Sequence, residues 1–207
     1  MFFKFARDFT KIFLSIWFDI CYINKKPVGE GVGCILACNH VKAIDPLLLA
    51  YGIDPEIHYM GKKELFQNPI LGMLFRAINA FAVDRGAGDA GALDHAVKLI
   101  EENKIMGIFP EGTRSKTGEL LRGKSGMAVI ASRTKASILP AAVYYPNGCG
   151  FRAKAYVCYG EMLPYESFNV TDASPAQIKG VTKKVMGEIA ALRQKCIDRW
   201  ERDGMSK

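Results

Sequence analysis

Residues 33–46 read Gly-Cys-Ile-Leu-Ala-Cys-Asn-His-Val-Lys-Ala-Ile-Asp-Pro. The first six form a short apolar run, which predicts a buried strand over 33–38. Asp45 suits the N-cap of a helix and Pro46 suits its first turn, so a helix is predicted over 46–52. The stretch therefore predicts a strand, a loop that carries His40, and a helix, in that order.

The same alternation of apolar runs and helical patterns continues along the chain. The predicted strands are 33–38, 56–60, 80–83, 105–109, 138–143 and 153–158, and the predicted helices are 46–52, 62–77, 89–103, 124–134 and 175–201. Strands that alternate with helices are typical of parallel sheets. We therefore predict an α/β fold, in which a single domain over 23–207 has a mixed, largely parallel sheet flanked by helices.

Residues 1–22 differ from the rest of the chain. Their apolar side chains recur at helical spacing, at Phe2, Phe5, Phe9, Ile12, Phe13, Ile16, Trp17 and Ile20. Charged residues interrupt the run, which never approaches the roughly 18 uncharged apolar residues of a membrane-spanning helix. The pattern predicts an amphipathic helix in the lipid interface; the alternative is a helix that packs on its own domain. We expect a peripheral or monotopic protein on the cytoplasmic face of the cell membrane.

The composition favours an anionic partner. The chain has 28 basic and 21 acidic residues, a net charge of +7, which suits a membrane surface with anionic lipid. Nucleic acid is disfavoured because the basic residues are spread out and no nucleic-acid-binding motif is present. The six cysteines form no CxxC pair, so we expect reduced thiols. No metal or cofactor site is predicted.

His40 and Asp45 are the candidate catalytic pair. They lie just beyond a predicted strand, where α/β folds place their sites. A carboxylate that accepts a hydrogen bond from one imidazole nitrogen fixes the tautomer and leaves the other nitrogen free to act as a base. The alternative is that Asp45 only caps a helix and that His40 is an ordinary polar loop residue.

A second motif, Phe-Pro-Glu-Gly-Thr-Arg-Ser over 109–115, follows another predicted strand. Gly112 allows a close backbone approach to a ligand, and Arg114 can fork onto phosphate oxygens. Glu111 could hold a substrate hydroxyl or brace the arginines. Arg85 follows a third predicted strand and would be a second phosphate ligand. The alternative is a structural turn with a surface ion pair.

The sequence leaves other functional classes open. Ser115 could be the nucleophile of a serine hydrolase that uses His40 as its base. Residues 118–125 match the P-loop pattern letter for letter, but a P-loop runs directly from a buried strand into a helix, and the segment before Gly118 is polar and loop-like. A lipid-surface binding module that lacks catalysis is the non-enzymatic alternative.

The motifs resemble those of the glycerolipid acyltransferase family, which includes 1-acyl-glycerol-3-phosphate (lysophosphatidic acid) acyltransferases. The resemblance spans residues 35–145 in four blocks, which are Asn39 to Asp45, the segment that ends in Arg85, the segment 109–114, and Ile138-Leu139-Pro140. The chain departs from the family pattern at Lys42, where serine is common, and at Asn79, where glycine is common.

That resemblance implies a reaction. His40 and Asp45 would be the catalytic dyad, and the acceptor-phosphate site would comprise Arg85, Glu111, Gly112, Thr113 and Arg114. The enzyme would be a 1-acylglycerol-3-phosphate O-acyltransferase of phospholipid biosynthesis, with acyl-coenzyme A or acyl carrier protein as donor and phosphatidic acid as product. Glycerol 3-phosphate or another lysolipid is the alternative acceptor.

Overall fold

A seven-stranded sheet forms the centre of the computed structural model. The residues that the structure describes are 12, 14–25, 28, 31–53, 56–77, 79–83, 90–148 and 150–205. The strands are β1 (Phe18–Ile23), β2 (Cys34–Cys38), β3 (Ile57–Lys62), β4 (Ala80–Val83), β5 (Ile105–Ile108), β6 (Ser137–Tyr144) and β7 (Ala153–Tyr159). The helices are α1 (Asp45–Gly52), α2 (Pro69–Ala77), α3 (Ala90–Glu101), α4 (Gly126–Thr134) and α5 (Pro175–Met205), with 3-10 helices at Lys63–Phe66 and Tyr165–Phe168.

The strand order is β1-β7-β6-β2-β5-β3-β4. Strands β2 to β6 run parallel to their neighbours within that group, whereas β7 is antiparallel to β6 and parallel to β1. This arrangement confirms the predicted α/β fold with a mixed, largely parallel sheet. The carboxyl ends of β2, β5 and β6 lie side by side, and we call this side of the sheet the carboxyl edge.

The central strand β2 is buried on both faces, which is why its sequence is a continuous apolar run. Cys34, Leu36 and Cys38 pack on one face with the leucines of α1. Ile35 and Ala37 pack on the other face with residues of α3, α4 and α5. Helices therefore cover both faces of β2 and hold its carboxyl end in place.

The predicted helix over 62–77 is wrong in its first half. Strand β3 continues to Lys62, a 3-10 helix follows, and α2 begins only at Pro69. The residue before a proline is disfavoured in helical conformation, so Asn68 interrupts the pattern. The other predicted strands and helices are confirmed, with ends that shift by at most four residues.

The predicted amphipathic helix over 1–22 is wrong from Phe18 onward. Residues 14–17 are helical, but Phe18–Ile23 form β1, so the predicted boundary at residue 23 cuts through a strand. The helical spacing of the apolar residues conceals a second pattern, because Phe18, Ile20 and Tyr22 also alternate with period two. Pairing with β7 selects that second pattern. Residues 1–11 and 13 lie outside the described part of the chain.

The described residues of this segment, from residue 12 to Phe18, have one buried side and one exposed side. Leu14 and Phe18 are buried in the core at 2% and 4% exposure, whereas Ile12 and Ile16 are 60% and 57% exposed. The segment thus packs on its own domain along one side and leaves apolar side chains at the surface on the other. None of the helices within the described ranges is both long enough and apolar enough to cross a bilayer.

Candidate active site

His40 and Asp45 meet at the carboxyl edge. His40 lies two residues beyond β2, and Asp45 is the first residue of α1. The His40 Nδ1 atom is 2.8 Å from Asp45 Oδ2. An ionised carboxylate only accepts hydrogen bonds, so Nδ1 carries the proton and Nε2 of the neutral ring is left as the basic nitrogen. The side chain of Asp45 is fully buried, and that of His40 is 18% exposed.

The Asp45 carboxylate is held by the loop that precedes it. The structure assigns the N-cap to Ile44, without a capping side chain, so the predicted N-cap role of Asp45 is wrong. Instead, Oδ2 accepts hydrogen bonds from the backbone N–H groups of Val41 and Lys42 at 2.7 Å and 2.8 Å. These two bonds compensate for burial of the carboxylate and fix the oxygen that faces the imidazole.

Tyr145 supplies a contact to the dyad that the sequence did not predict. Its hydroxyl donates to Asp45 Oδ1 at 2.5 Å, from 100 residues further along the chain. Tyr145 directly follows β6, the strand next to β2. A search for polar side chains after every predicted strand would have found it, because such residues share the carboxyl edge.

Phe109 covers one face of the imidazole. The ring centroids of His40 and Phe109 are 4.0 Å apart with an interplanar angle of 18°. The ring of Tyr59 is nearly parallel to that of Phe109, with the two ring centroids 6.1 Å apart. The Tyr59 hydroxyl donates a hydrogen bond to the Pro46 carbonyl. The aromatic pair therefore restricts ring motion of His40 and keeps water from that face.

Glu111 joins the two motifs through the backbone. Its side chain is 2% exposed; Oε1 accepts from the His40 N–H at 3.2 Å, and Oε2 from the Leu121 N–H at 3.3 Å. Burial raises the pKa of this carboxyl, an effect that the two N–H donors partly oppose. The Ser115 N–H donates to the His40 carbonyl at 2.8 Å. Both backbone polar groups of His40 are thus tied to the second motif, and these contacts support a positioning role for Glu111.

Replacing Glu111 by glutamine should destabilise the fold. One of the two backbone N–H groups that now face a carboxylate oxygen would face an amide NH₂ group. A buried donor that loses its acceptor costs about 1–3 kcal/mol, which urea unfolding would measure as a lower free energy of unfolding. An unchanged free energy of unfolding would contradict these contacts.

The destabilisation by Glu111→Gln should also depend on pH. Because folding raises the pKa of Glu111 above its ordinary value of 4.5, the protonated carboxyl stabilises the wild-type fold fully below that pH. That stabilisation is lost as the pH rises through the raised value. The difference in unfolding free energy between wild type and variant should therefore shrink from pH 4.5 upward, and a difference that grows would refute the assignment.

Gly112, Thr113 and Arg114 form the turn that follows Glu111, at the rim of the site. Gly112 has a φ of +67°, a left-handed conformation that favours glycine, and the flexible end of the Lys124 side chain lies against it. Thr113 and Arg114 are exposed in the same turn. Arg85 lies outside the described residues. The phosphate site therefore stays a prediction, to which the structure adds Lys124 as a neighbouring cation.

The geometry argues against two of the alternatives, the serine hydrolase and the P-loop protein. Ser115 is 4% exposed, and its hydroxyl oxygen lies 3.5 Å from the Thr117 hydroxyl, an arrangement unlike a nucleophile that is hydrogen-bonded to its base. Residues 118–125 are irregular and start ten residues after the end of β5. A P-loop follows its strand directly, so the P-loop interpretation is wrong.

Asn39 fixes the start of the catalytic loop. Its side-chain amide donates to the Val143 carbonyl at 3.0 Å, and its side-chain oxygen accepts from the Val143 N–H at 2.9 Å. These bonds extend the pairing of β2 and β6 by one position after the backbone ladder ends at Cys38. His40 thus leaves the sheet from a rigid support.

The sequence model of the family described as "Acyltransferase" matches residues 19–144, which include both halves of the dyad and the second motif. The chain belongs to the acyltransferase family. This acyltransferase is 39% identical over 146 residues to the 1-acyl-sn-glycerol-3-phosphate acyltransferase of Bacillus subtilis (strain 168), a match that covers 70% of this chain and 72% of the relative. It is 26% identical over 210 residues to the enzyme of the same name from Streptococcus pneumoniae, across 98% and 77% of the two chains.

A solved structure shares the fold of this acyltransferase. The crystal structure of the 1-acyl-sn-glycerophosphate (LPA) acyltransferase PlsC from Thermotoga maritima aligns with a TM-score of 0.72 over 93% of this chain and 78% of that chain, at 22% sequence identity. The two chains therefore share the overall fold over nearly the whole length of this chain.

Two departures from the family pattern have local explanations. Lys42 contributes its backbone N–H to Asp45, so a different side chain at this position leaves that bond intact. Asn79 has a φ of +54°, a left-handed conformation. Asparagine tolerates this conformation better than most residues, so it can replace the glycine that is common there.

Proposed function

We propose that this acyltransferase moves a fatty acyl group from a thioester to the free hydroxyl of 1-acyl-glycerol-3-phosphate and so makes phosphatidic acid. The observation that supports the proposal most is the His40–Asp45 pair, in which a buried carboxylate with three further hydrogen bonds holds the imidazole. The named relatives give the acceptor, since both are 1-acyl-sn-glycerol-3-phosphate acyltransferases.

In the proposed mechanism, His40 acts as a general base on the acceptor. Nε2 takes the proton of the acceptor hydroxyl as its oxygen attacks the thioester carbonyl, and Asp45 stabilises the imidazolium that forms. The tetrahedral intermediate collapses with cleavage of the carbon–sulfur bond. The thiolate leaves and takes up the proton from Nε2, which returns His40 to its neutral state and balances the reaction.

The second motif is the proposed docking point for the acceptor phosphate. Arg114 and Lys124 are cations beside the turn at Gly112, and Arg85 is the further ligand that the family resemblance implies. A phosphate bound here would face the loop whose backbone holds His40. Positioning of this kind contributes to catalysis by making attack effectively intramolecular.

The acyl donor and the cellular location are part of the same proposal. We propose acyl-coenzyme A or acyl carrier protein as the donor, with no other cofactor. We also propose peripheral or monotopic attachment to the cytoplasmic face of the membrane, where the acceptor lipid lies. The excess of basic residues supports contact with anionic lipid.

The test is an assay of the purified protein that crosses both donors with three acceptors: 1-acyl-glycerol-3-phosphate, glycerol 3-phosphate and lysophosphatidylcholine. Release of free thiol and formation of the acylated lipid are measured together. We expect both products in equal amounts and the highest kcat/KM with 1-acyl-glycerol-3-phosphate. A higher kcat/KM with either other acceptor would reject the assigned substrate, and thiol release without acceptor would indicate a hydrolase.

A further inference from the structure

A small group of apolar side chains is exposed at the same edge of the sheet as the active site, and we call it the aromatic patch. Its members are Ile12, Ile16, Trp17 and Phe151, which are 60%, 57%, 39% and 66% exposed. The rings of Trp17 and Phe151 meet edge to face with centroids 5.6 Å apart. Arg152 donates its backbone N–H to the Trp17 carbonyl at 2.7 Å. The patch therefore combines the segment before β1 with the turn between β6 and β7.

The topology places this patch at the carboxyl edge. Strand β7 returns antiparallel to β6, so the turn over 145–152 lies where β6 ends. Strand β1 starts beside the first residue of β7, with Phe18 paired to Ala153, so the residues before β1 lie at the same edge. Tyr145, in that turn, reaches Asp45. One short turn thus contacts the catalytic dyad at its start and the aromatic patch at its end.

The turn and the start of β7 carry a net positive charge, which suits an anionic surface. Between residues 145 and 154 the chain has two cations, Arg152 and Lys154, and no acidic residue. Two acids lie near these cations: Asp19 is exposed in the neighbouring strand β1, and Asp203 of α5 lines a surface cavity with Arg152 and Lys154. Asp203 is paired with Arg199 at 2.9 Å, so the cations remain in excess. Aromatic side chains flanked by cations are typical of segments that lie in the interface of a bilayer.

We propose that the turn over 145–152 is a second membrane-contacting element, which inserts Phe151 together with Trp17 and Ile16 into the interface of an anionic bilayer. The inference rests on the proposed function, because a lipid acceptor enters from the bilayer that the patch touches. A second copy of the chain is a poorer occupant, since four side chains cover far less than the roughly 800 Å² per partner of a stable protein interface.

The experiment compares Phe151→Asp with Val32→Asp. Val32 is 45% exposed and precedes β2, at the edge of the sheet opposite to the site, so it controls for the loss of an exposed apolar side chain. Binding to vesicles of phosphatidylcholine with phosphatidylglycerol is measured by flotation, without substrates. We expect about tenfold weaker binding for Phe151→Asp, as for the loss of one buried ring, and wild-type binding for Val32→Asp.

Trp17 gives a second readout. In a Trp200→Phe variant it is the one remaining tryptophan, and brominated lipid should quench its fluorescence. Equal vesicle binding by wild type and Phe151→Asp, or unquenched Trp17, would overturn the proposal. A third outcome would also overturn it: analytical ultracentrifugation shows that the wild type is a dimer and that Phe151→Asp is a monomer. The patch would then be a protein interface. Because these measurements need no turnover, they stay distinct from a failure of the acyl-transfer assay.

Discussion

The His40→Ala variant should lose acyl transfer by about a hundred- to ten-thousand-fold in kcat/KM, the range that a positioned general base contributes. The lost group is the nitrogen that takes the acceptor proton, so added acceptor cannot restore the rate. The backbone bonds of His40 to Glu111 and Ser115 do not involve the ring, so the loop should keep its position. Initial rates of thiol release in the presence of acceptor measure the effect.

His95→Ala is the matched control. His95 lies on α3 with its ring against Phe81 at 4.2 Å, away from the carboxylate that orients the base. It should keep near wild-type kcat/KM, with thermal melting to verify that both variants are folded. Full activity in His40→Ala would end the general-base mechanism, and an equal loss in both variants would show that the assay reports folding.

Asp45→Asn should lower kcat/KM by a similar factor, about a hundred- to ten-thousand-fold. The substitution keeps the size of the side chain but removes the negative charge that stabilises the imidazolium. It also leaves one oxygen and one NH₂ group where both carboxylate oxygens now accept hydrogen bonds, from His40, Val41, Lys42 and Tyr145. A saturating-substrate rate should fall as strongly as kcat/KM, because the charge acts in the transition state.

Tyr145→Phe separates the charge of Asp45 from its hydrogen bonding. It removes the bond to Oδ1 and leaves the His40–Asp45 contact and the two backbone donors in place. We expect a loss within about tenfold, the scale of one ordinary hydrogen bond of about 0.5–1.5 kcal/mol, because Asp45 keeps its charge and its other bonds. If Tyr145→Phe were as damaging as Asp45→Asn, or Asp45→Asn were nearly as active as wild type, the electrostatic role of Asp45 would be rejected.

The dyad could be predicted because it depends on a short stretch of chain. His40 and Asp45 are five residues apart, and the strand, loop and helix that hold them are all visible as local patterns over 33–52. The parallel sheet was predictable for the same reason, since each strand is a distinct apolar run followed by a helical pattern.

Most of the misses depend on contacts between distant parts of the chain. The exception is the first half of the helix predicted over 62–77, where the cue is local, because Asn68 precedes Pro69. Strand β1 exists because the edge of β7 pairs with it, and its own apolar spacing fits a helix as well. Tyr145 reaches Asp45 only through the pairing of β6 with β2. Likewise, the sequence predicted that Glu111 holds a substrate hydroxyl or braces the arginines, whereas the fold brings the backbone N–H groups of His40 and Leu121 to its carboxylate. No local pattern contains that information.

The way the second motif holds His40 sets a condition for chimeric enzymes. An exchange of residues 112–120 between family members would be expected to alter acceptor preference, because that segment begins with the turn that carries Gly112, Thr113 and Arg114 at the rim of the site. Such a graft must retain Glu111 and the backbone geometry of Ser115, since these two residues anchor the N–H and C=O of His40. A swap that shifts either anchor would inactivate the recipient enzyme toward every acceptor. The absence of activity would then give no information about acceptor selectivity.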